Sequence, residues 1–395
     1  MALHPRSRLE IEEPMDVTSP ILLTPGPLTT SQTVKQAMLR DWGSRDATFI
    51  AMNREILGRL TRLVHATETH VCVPIQGSGT FAIEAALTTL LPSAGHLLVL
   101  VNGAYGTRMV KIARLAGRTV SALEWREDEP VDPAELHQRL SDDPTITHVA
   151  VVHCETTSGI LNPINDVARV ARAHGRSLII DAMSTFGAID IDAREIQFTA
   201  VVASSNKCLE GAPGMGFVIV RRDALESCEG NAHSLTLDLF DQWQGFAKNA
   251  QWRFTPPTHV IAALHQALEE HAAEGGVDAR GARYALNHRI LVDGMEALGF
   301  RCLLAREMQA PIIVTFHVPA DPRFQFDDFY ERLRRKGFLI YPGKLTVADS
   351  FRIGCIGHIG PEQINEALSA VGLVISEMGV IDCTPLFELE NSDVD

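Results

Sequence analysis

Ala200-Val201-Val202-Ala203-Ser204-Ser205-Asn206-Lys207 is a strand of small apolar residues that runs through three polar ones to a lysine. Upstream, Leu178-Ile179-Ile180-Asp181 is a second apolar run, and it closes on an acid. Runs without a polar face are the pattern of strands covered on both sides in a parallel sheet. A lysine just past such a strand is poorly placed as a surface charge. Burial lowers the pKa of an amine and leaves it free to attack a carbonyl. If both runs belong to one sheet, the aspartate puts a carboxylate in the same cavity. Taken singly, each also fits a strand that ends at a surface in Asp or Lys.

A third feature joins them. His70-Val71-Cys72-Val73-Pro74-Ile75 reads as a short strand, Gln76-Gly77-Ser78-Gly79-Thr80 as a flexible polar turn, and Phe81 to Leu91 as a helix. Strand, glycine turn and helix start make an anion site: first-turn N–H groups, the helix dipole and two hydroxyls converge on a phosphate. Gly77-x-Gly79-x-x-Ala82 also fits a dinucleotide fingerprint. Two features oppose that reading. The next strand, Leu97 to Val101, ends in Asn102-Gly103 rather than the acid that holds a ribose, and the turn does not open the chain. A lysine for a Schiff base, an acid for a pyridinium nitrogen and a phosphate cradle are what pyridoxal 5'-phosphate chemistry demands.

The 395 residues are enough for two domains with substantial cores. No run approaches the ~18 apolar residues of a membrane span, and Met1 to Pro20 lacks the apolar core of a signal peptide. A cytoplasmic protein is expected. The net charge of -14 disfavours nucleic acid as a partner, and an anionic substrate needs a locally basic pocket. The seven cysteines are scattered and form no CxxC pair, so neither a disulfide framework nor a zinc site is indicated. Cys208, beside Lys207, has two readings, a nucleophile or a small buried residue. The fifteen histidines show no HExxH spacing, so no metal is expected.

Along the chain, residues 1–20 read as a loose arm, and Leu22-Leu23-Thr24-Pro25-Gly26-Pro27 as a rigid loop. From Ser31 to Phe217 helices alternate with apolar strands at 70–75, 97–101, 147–153, 177–181, 199–204 and 216–220. This predicts a doubly wound, mainly parallel α/β domain with ligands at the strand C-terminal ends. The large domain spans 21–265 with its leading segment, and a smaller α+β domain spans 266–380. Between them a long helical stretch runs from about Val260 to Gly275. The small domain has expected strands at Ile312–His317, Phe338–Tyr341 and Ser350–Ile353, and helices at Asp327–Arg335 and Pro361–Met378. Residues 381–395 form an acidic tail expected to be disordered.

The ordered set of motifs resembles the fold type I pyridoxal phosphate enzymes, in the branch of small-amino-acid:pyruvate or glyoxylate aminotransferases. Within that branch it is similar to those acting on 2-aminoethylphosphonate and pyruvate. The likeness is carried by Leu22 to Thr30, Gln76 to Thr80, Asn102 to Gly106, His153 to Gly159, Asp181 to Ser184, Asn206-Lys207-Cys208, Trp252 to Thr255, Tyr341 to Lys344 and Phe351 to Gly354. It implies pyridoxal 5'-phosphate as cofactor, a homodimer with shared active sites, and roles for individual residues. Lys207 would carry the cofactor and shuttle a proton, and Asp181 would keep the pyridine nitrogen protonated. Ser78, Gly79 and Thr80 would hold the phosphate, Tyr105 would stack on the ring, and Thr156 would sit near the ring oxygen. Thr255 would reach the phosphate of the neighbouring subunit's cofactor. Arg352 would grip the substrate's acidic group, although an arginine between Phe and Ile in a strand also fits pairing with a structural acid. Arg45 has two readings as well: a second cation for a phosphonate dianion, or a surface partner of Asp46 or Glu55.

The implied reaction is transamination of 2-aminoethylphosphonate with pyruvate in phosphonate catabolism. The nearest rival is an alanine:glyoxylate or serine:pyruvate aminotransferase. A desulfurase would need a mobile cysteine, for which Cys355 is the candidate, and a cofactor-binding regulator would need a basic DNA-binding module that the sequence lacks.

Overall fold

The structure is a computed structural model and describes residues 19–345 and 348–386. The expected arm at 1–20 lies outside the described residues except for its last two positions, and so does the tail from 387 onward.

The large domain is a seven-stranded sheet. Its strands are β1 (His70–Gln76), β2 (His96–Val101), β3 (Thr119–Glu124), β4 (His148–Val152), β5 (Ser177–Asp181), β6 (Ala200–Ser204) and β7 (Met215–Arg221). Their spatial order is β1-β7-β6-β5-β4-β2-β3. The predicted strands are found within a residue or so of their expected ends. Every residue of β6 is buried, as are four of the five in β5, which is why both read as unbroken apolar runs.

Two departures stand out. β7 pairs antiparallel with both β1 and β6, where a parallel strand was expected. Only residues 205–214 join β6 to β7, and a parallel crossover needs a dozen or more residues. β3 was missed because it is an edge strand whose residues are exposed or half-buried.

The helices around this sheet include α1 (Ala47–Arg62), α2 (Gly79–Leu90), α3 (Ala104–Leu115), α4 (Ile164–Ala173), α5 (Leu239–Asn249) and α6 (Thr258–Glu274). In α4 the buried residues Ile164, Val167, Ala168 and Ala171 recur at helical spacing and seat it on the sheet. Fully burying an aliphatic side chain of this kind is worth ~1.5–3 kcal/mol.

α6 runs through the expected boundary at 265 without a break and packs Ile261, Ala262, Leu264 and Leu268 into the large-domain core. The chain turns instead at Gly275-Gly276, both at positive φ (116° and 76°). There α7 (Gly276–Ala297) begins, and it carries Leu291, Val292 and Met295 into the small-domain core. The small domain then adds β8 (Ile313–His317), α8 (Phe326–Arg335), β9 (Tyr341–Pro342), β10 (Ser350–Gly354) and α9 (Pro361–Met378). Its sheet order is β8-β10-β9.

The expected strand Phe338–Tyr341 is split at Ile340. Phe338-Leu339 pairs in parallel with Ile21-Leu22, and Tyr341-Pro342 pairs with β10. Leu23 is buried in the small-domain core, so the leading segment belongs partly to that domain. Phe351 of β10 packs against Phe300 and Phe316, with ring centroids 5.6 and 5.7 Å apart, and fixes the strand beside Arg352. The described chain continues past 380, to residue 386. Cys383 is buried in this core, and the Thr384 carbonyl accepts a bond from Ala320 N.

Candidate active site

β1, β4, β5 and β6 are mutually aligned, so their C-terminal ends open on one edge. Asp181 is the last residue of β5 and pairs in register with Val202 of β6, and Lys207 follows shortly after that strand. The two groups therefore share one cavity of about 220 Å3 with Ser78, Gly79, Thr80, Tyr105, Arg108, Met183 and Ser204.

Lys207 Nζ donates to the carbonyls of Pro25 (2.6 Å) and Gly26 (3.4 Å) in the leading segment. Gly26 has φ +112°, and a Cβ there would lie 2.7 Å from Lys207 Cδ, so only glycine lets the chain approach this closely. Burial draws the Lys207 pKa down to about 8, which leaves a usable share of neutral amine at neutral pH. Asp181 Oδ1 accepts from Met183 N at 2.9 Å, and burial pushes its pKa up to about 6. Among the described residues no donor takes its second oxygen.

The N-terminus of α2 faces the same space. Ser78 is its N-cap but makes no side-chain capping bond, leaving the hydroxyl and the Gly79 and Thr80 amides unclaimed by the helix, while Phe81 N donates to the Ser78 carbonyl. A Cβ on Gly79 would fall 2.2 Å from Met183 Sδ, so the helix start is pressed against the residue that orients Asp181. Ser204 Oγ is buried without a partner. Free donors at a helix start, a buried carboxylate and a buried amine fit a ligand with a phosphate, a basic ring nitrogen and an aldehyde.

The small domain stands beside this cavity, with Arg352 and Thr156 outside its lining residues. Arg352 is buried in β10, with Nε on the Pro342 carbonyl (3.1 Å) and Nη1 on the Thr156 carbonyl (2.7 Å). Among the described residues it forms no ion pair with an acid, contrary to what a structural pairing requires. Burial lowers its pKa, and Tyr105, Tyr341 and Glu155 are the groups near enough to offset this. Thr156 is thus buried at the seam between the two domains, holding Arg352 through its backbone.

Two expected residues stand apart. Arg45 is exposed on the turn before α1 and does not line the cavity. Neither expected surface partner takes it, since Asp46 caps α1 through Thr48 N and Glu55 pairs with Arg59 and His265. Thr255 is exposed between α5 and α6, outside the cavity of its own chain. That loop is braced by Arg253 on Asp241 (3.1 Å) and Leu235 O (2.8 Å), and by Trp252 Nε1 on Asn53 (2.8 Å).

Several groups escaped the sequence reading. Arg108 lies one turn after Tyr105 in α3, donates to Thr80 Oγ1 at 3.2 Å and sits over the Tyr105 ring at 4.7 Å. The i, i+3 spacing would have shown it had α3 been foreseen. Glu155 is fully buried and accepts from Tyr105 N (3.1 Å), Gly106 N (3.4 Å) and Thr157 Oγ1 (2.9 Å), so it caps α3; burial lifts its pKa to about 7. Lys344, just past β9, has its pKa lowered by burial and then by Arg352 and Arg108. The cysteines are quiet. Cys208 is buried with Sγ on the Ser184 carbonyl and its thiol pushed up to about 12, and Cys355 is buried in the small-domain core.

The family model for aminotransferase class-V matches residues 31–350. A 2-aminoethylphosphonate–pyruvate transaminase 2 of Burkholderia lata is 57% identical over 361 residues, covering 91% of this chain and 96% of that protein. A 2-aminoethylphosphonate–pyruvate transaminase of Pseudomonas putida is 56% identical over 364 residues, 92% of this chain and 99% of its own. Among solved structures, pyridoxamine-pyruvate aminotransferase of Mesorhizobium loti aligns with a TM-score of 0.85 at 24% identity, covering 96% of this chain and 99% of that one. Ureidoglycine-glyoxylate aminotransferase of Bacillus subtilis gives a TM-score of 0.85 at 22% identity, with 93% and 96% covered. At these identities the two structures speak for the fold alone.

Proposed function

Because the chain belongs to the class-V aminotransferase family, we propose that it moves the amino group of 2-aminoethylphosphonate to pyruvate, giving phosphonoacetaldehyde and L-alanine. The observation that carries this reading is a lysine, an aspartate and an anion cradle in one cavity, with Arg352, buried and without an acid partner among the described residues, held beside it on the Thr156 carbonyl. The activity named for the near relatives agrees with it, and it does not favour the alanine:glyoxylate or serine:pyruvate alternative.

Pyridoxal 5'-phosphate, when bound, supplies an electrophilic carbon and a ring that absorbs the electrons of a Cα carbanion. The residues divide the remaining work. Lys207 would hold the cofactor through its amine and, once free, would move the proton at the substrate Cα. Asp181 keeps a proton on the ring nitrogen, and its buried carboxylate gains stability from that positive charge. Ser78, Gly79 and Thr80 bind the phosphate, with Arg108 adding a cation to that wall. Tyr105 and Thr156 would help to hold the ring. Arg352 takes the phosphonate of the donor and then the carboxylate of pyruvate, so one pocket serves both half-reactions. Lys344 provides the second positive charge that a dianion favours, the role first considered for Arg45. In this reading the active unit is a cytoplasmic homodimer in which Thr255 completes the neighbour's phosphate site. Among the described residues no helix is long and apolar enough to cross a membrane.

The test is single-sided. The cofactor-loaded protein is given 2-aminoethylphosphonate without a keto acid, then L-alanine and L-serine separately, and the visible absorbance of the lysine-held cofactor is followed. Rapid loss with the phosphonate and with alanine, and slow loss with serine, is expected. Reaction with alanine or serine but not the phosphonate overturns the substrate assignment.

A further inference from the structure

Behind Lys207 lies a buried ionic cluster that the proposed reaction does not use. Glu210 is 2% exposed, and its N–H donates to the Lys207 carbonyl at 2.8 Å. Its backbone is left-handed at φ +60°, a conformation that residues with side chains seldom adopt. Its side chain leaves the large domain altogether. Oε1 accepts from Arg283 Nη2 at 2.7 Å and from the Tyr284 hydroxyl at 2.5 Å, both on α7.

From α7 the contacts pass to the segment that follows Arg352. Arg283 Nη1 donates to the carbonyls of Gly357 (2.6 Å) and Ile359 (2.8 Å), and Gly357 N donates back to the Tyr284 oxygen at 3.2 Å. Asn287 adds bonds to the carbonyls of Cys355 (3.1 Å) and Ile359 (3.2 Å). On the lysine side Arg280 donates to the Cys208 carbonyl, and Glu274 balances the two arginines at 2.7 and 2.8 Å. Glu210 and Arg280 are withdrawn from water, while Arg283 and Glu274 stay partly exposed, and the buried pair needs these contacts to be tolerable. A well-packed apolar cluster would hold two domains together at less risk. The cluster differs from such glue in where its bonds end: on the backbone next to Lys207 and on the backbone just past Arg352.

We propose that Glu210 is a positioning residue, which fixes the loop of Lys207 to the segment after Arg352 so that the reacting amine and the substrate-gripping arginine keep one spacing. Anion binding at Arg352 then reaches Lys207 through Glu210, Arg283 and Tyr284. This rests on the proposed function for the identity of the two ends. It adds that their distance is set from behind the site by a residue that touches neither substrate nor cofactor.

The experiment uses cofactor-loaded native enzyme, Glu210→Gln, Glu210→Gly and Tyr284→Phe. Glu210→Gly relieves the backbone while deleting the side chain, and Tyr284→Phe removes only the hydroxyl shared by Glu210 and Gly357, so one variant remains informative if another folds poorly. Three quantities are read: thermal unfolding, kcat and KM, and the response of the visible cofactor band to ethylphosphonate, an anion without an amine. In the native enzyme ethylphosphonate shifts the band. In the variants the shift is lost or much reduced, and kcat falls roughly tenfold with a smaller change in KM. Altered unfolding with an unchanged band response and unchanged kcat overturns the proposal and leaves the cluster a structural brace. With L-alanine as donor the same kcat comparison decides the matter even if the phosphonate proves not to be a substrate, which separates this failure from that of the proposed function.

Discussion

The two walls of the site are made by opposite means. On the large-domain wall, Asp181 and Lys207 sit at and just beyond the ends of buried strands, and Ser78 to Thr80 begin a helix. The sheet places them, and the leading segment adds the Pro25 and Gly26 carbonyls that hold the lysine amine. On the small-domain wall, Arg352 stands inside a strand, and its guanidinium is tied to carbonyls from two other segments, at Pro342 and Thr156. The first wall is rigid because its groups are continuations of the core. The second is assembled from separate segments, because its key group depends on neighbours. In the proposed reaction, chemistry rests on the wall that the fold fixes, and recognition on the wall that the domains assemble.

Replacing Lys207 by Ala strikes the rigid wall hardest. Turnover of 2-aminoethylphosphonate should fall by ~10^4-fold or more, with loss of the lysine-dependent visible band, as measured by alanine formation and absorbance. Appreciable remaining turnover would mean that the chemistry does not reside there. Arg352→Ala tests the other wall. It should lower kcat/KM for both 2-aminoethylphosphonate and pyruvate by roughly 10^3-fold while the bound cofactor keeps its unliganded spectrum. A changed spectrum without substrate would show that the two walls are not separable in this way.

That division also explains what could be read from the sequence. Strand ends leave a local trace, an apolar run and then a charge, so Asp181, Lys207 and the Ser78–Thr80 turn were legible as residues. The role of Arg352 came only with the resemblance, because a mid-strand arginine looks the same whether it meets a substrate or an acid. Tyr105 likewise gained its role only from the resemblance, since Gly103, the N-cap of its helix, makes no capping bond and carries no signal. With that helix unseen, Arg108 stayed hidden. α7 was missed for a related reason: it buries Arg280, Tyr284 and Asn287 along with its apolar residues, which erases the two-faced pattern. The strand break at Ile340 depends on a partner at the other end of the chain, beyond the reach of any local window.

A milder probe lies where the walls meet. Glu155 caps the Tyr105 helix, and its pKa is raised from 4.5 to about 7 by burial. A carboxyl raised in the folded state stabilises fully below its unfolded pKa, and that contribution is lost as pH rises through the folded value. The native protein should thus lose up to roughly 3 kcal/mol between pH 4.5 and 7.5 that Glu155→Gln does not lose. Parallel urea titrations of the two proteins across this range would show it, and identical slopes would place the proton elsewhere. The smallest effect concerns Lys207 in protein stripped of cofactor. With its pKa drawn down to about 8, the amine is neutral above that pH and charged below. Capture of pyridoxal phosphate should rise about tenfold from pH 7 to 9 and then level off, whereas an unperturbed lysine would still be gaining at pH 10.

The pairing of Ile21-Leu22 with Phe338-Leu339 has a consequence for how the molecule is made. The first of these strands leaves the ribosome while most of the chain is still untranslated, and its partner emerges near the end. Contacts so distant in sequence are slow to close and are the last to be secured. Pro25 and Gly26 follow that strand directly, and they are the residues that hold the Lys207 amine. A nascent chain halted before Phe338 contains all seven strands of the large sheet but lacks the strand partner of Ile21-Leu22, which leads into the clamp on the lysine. Competence to keep the cofactor is then a late event in the life of each molecule, arriving when the two ends of the polypeptide meet.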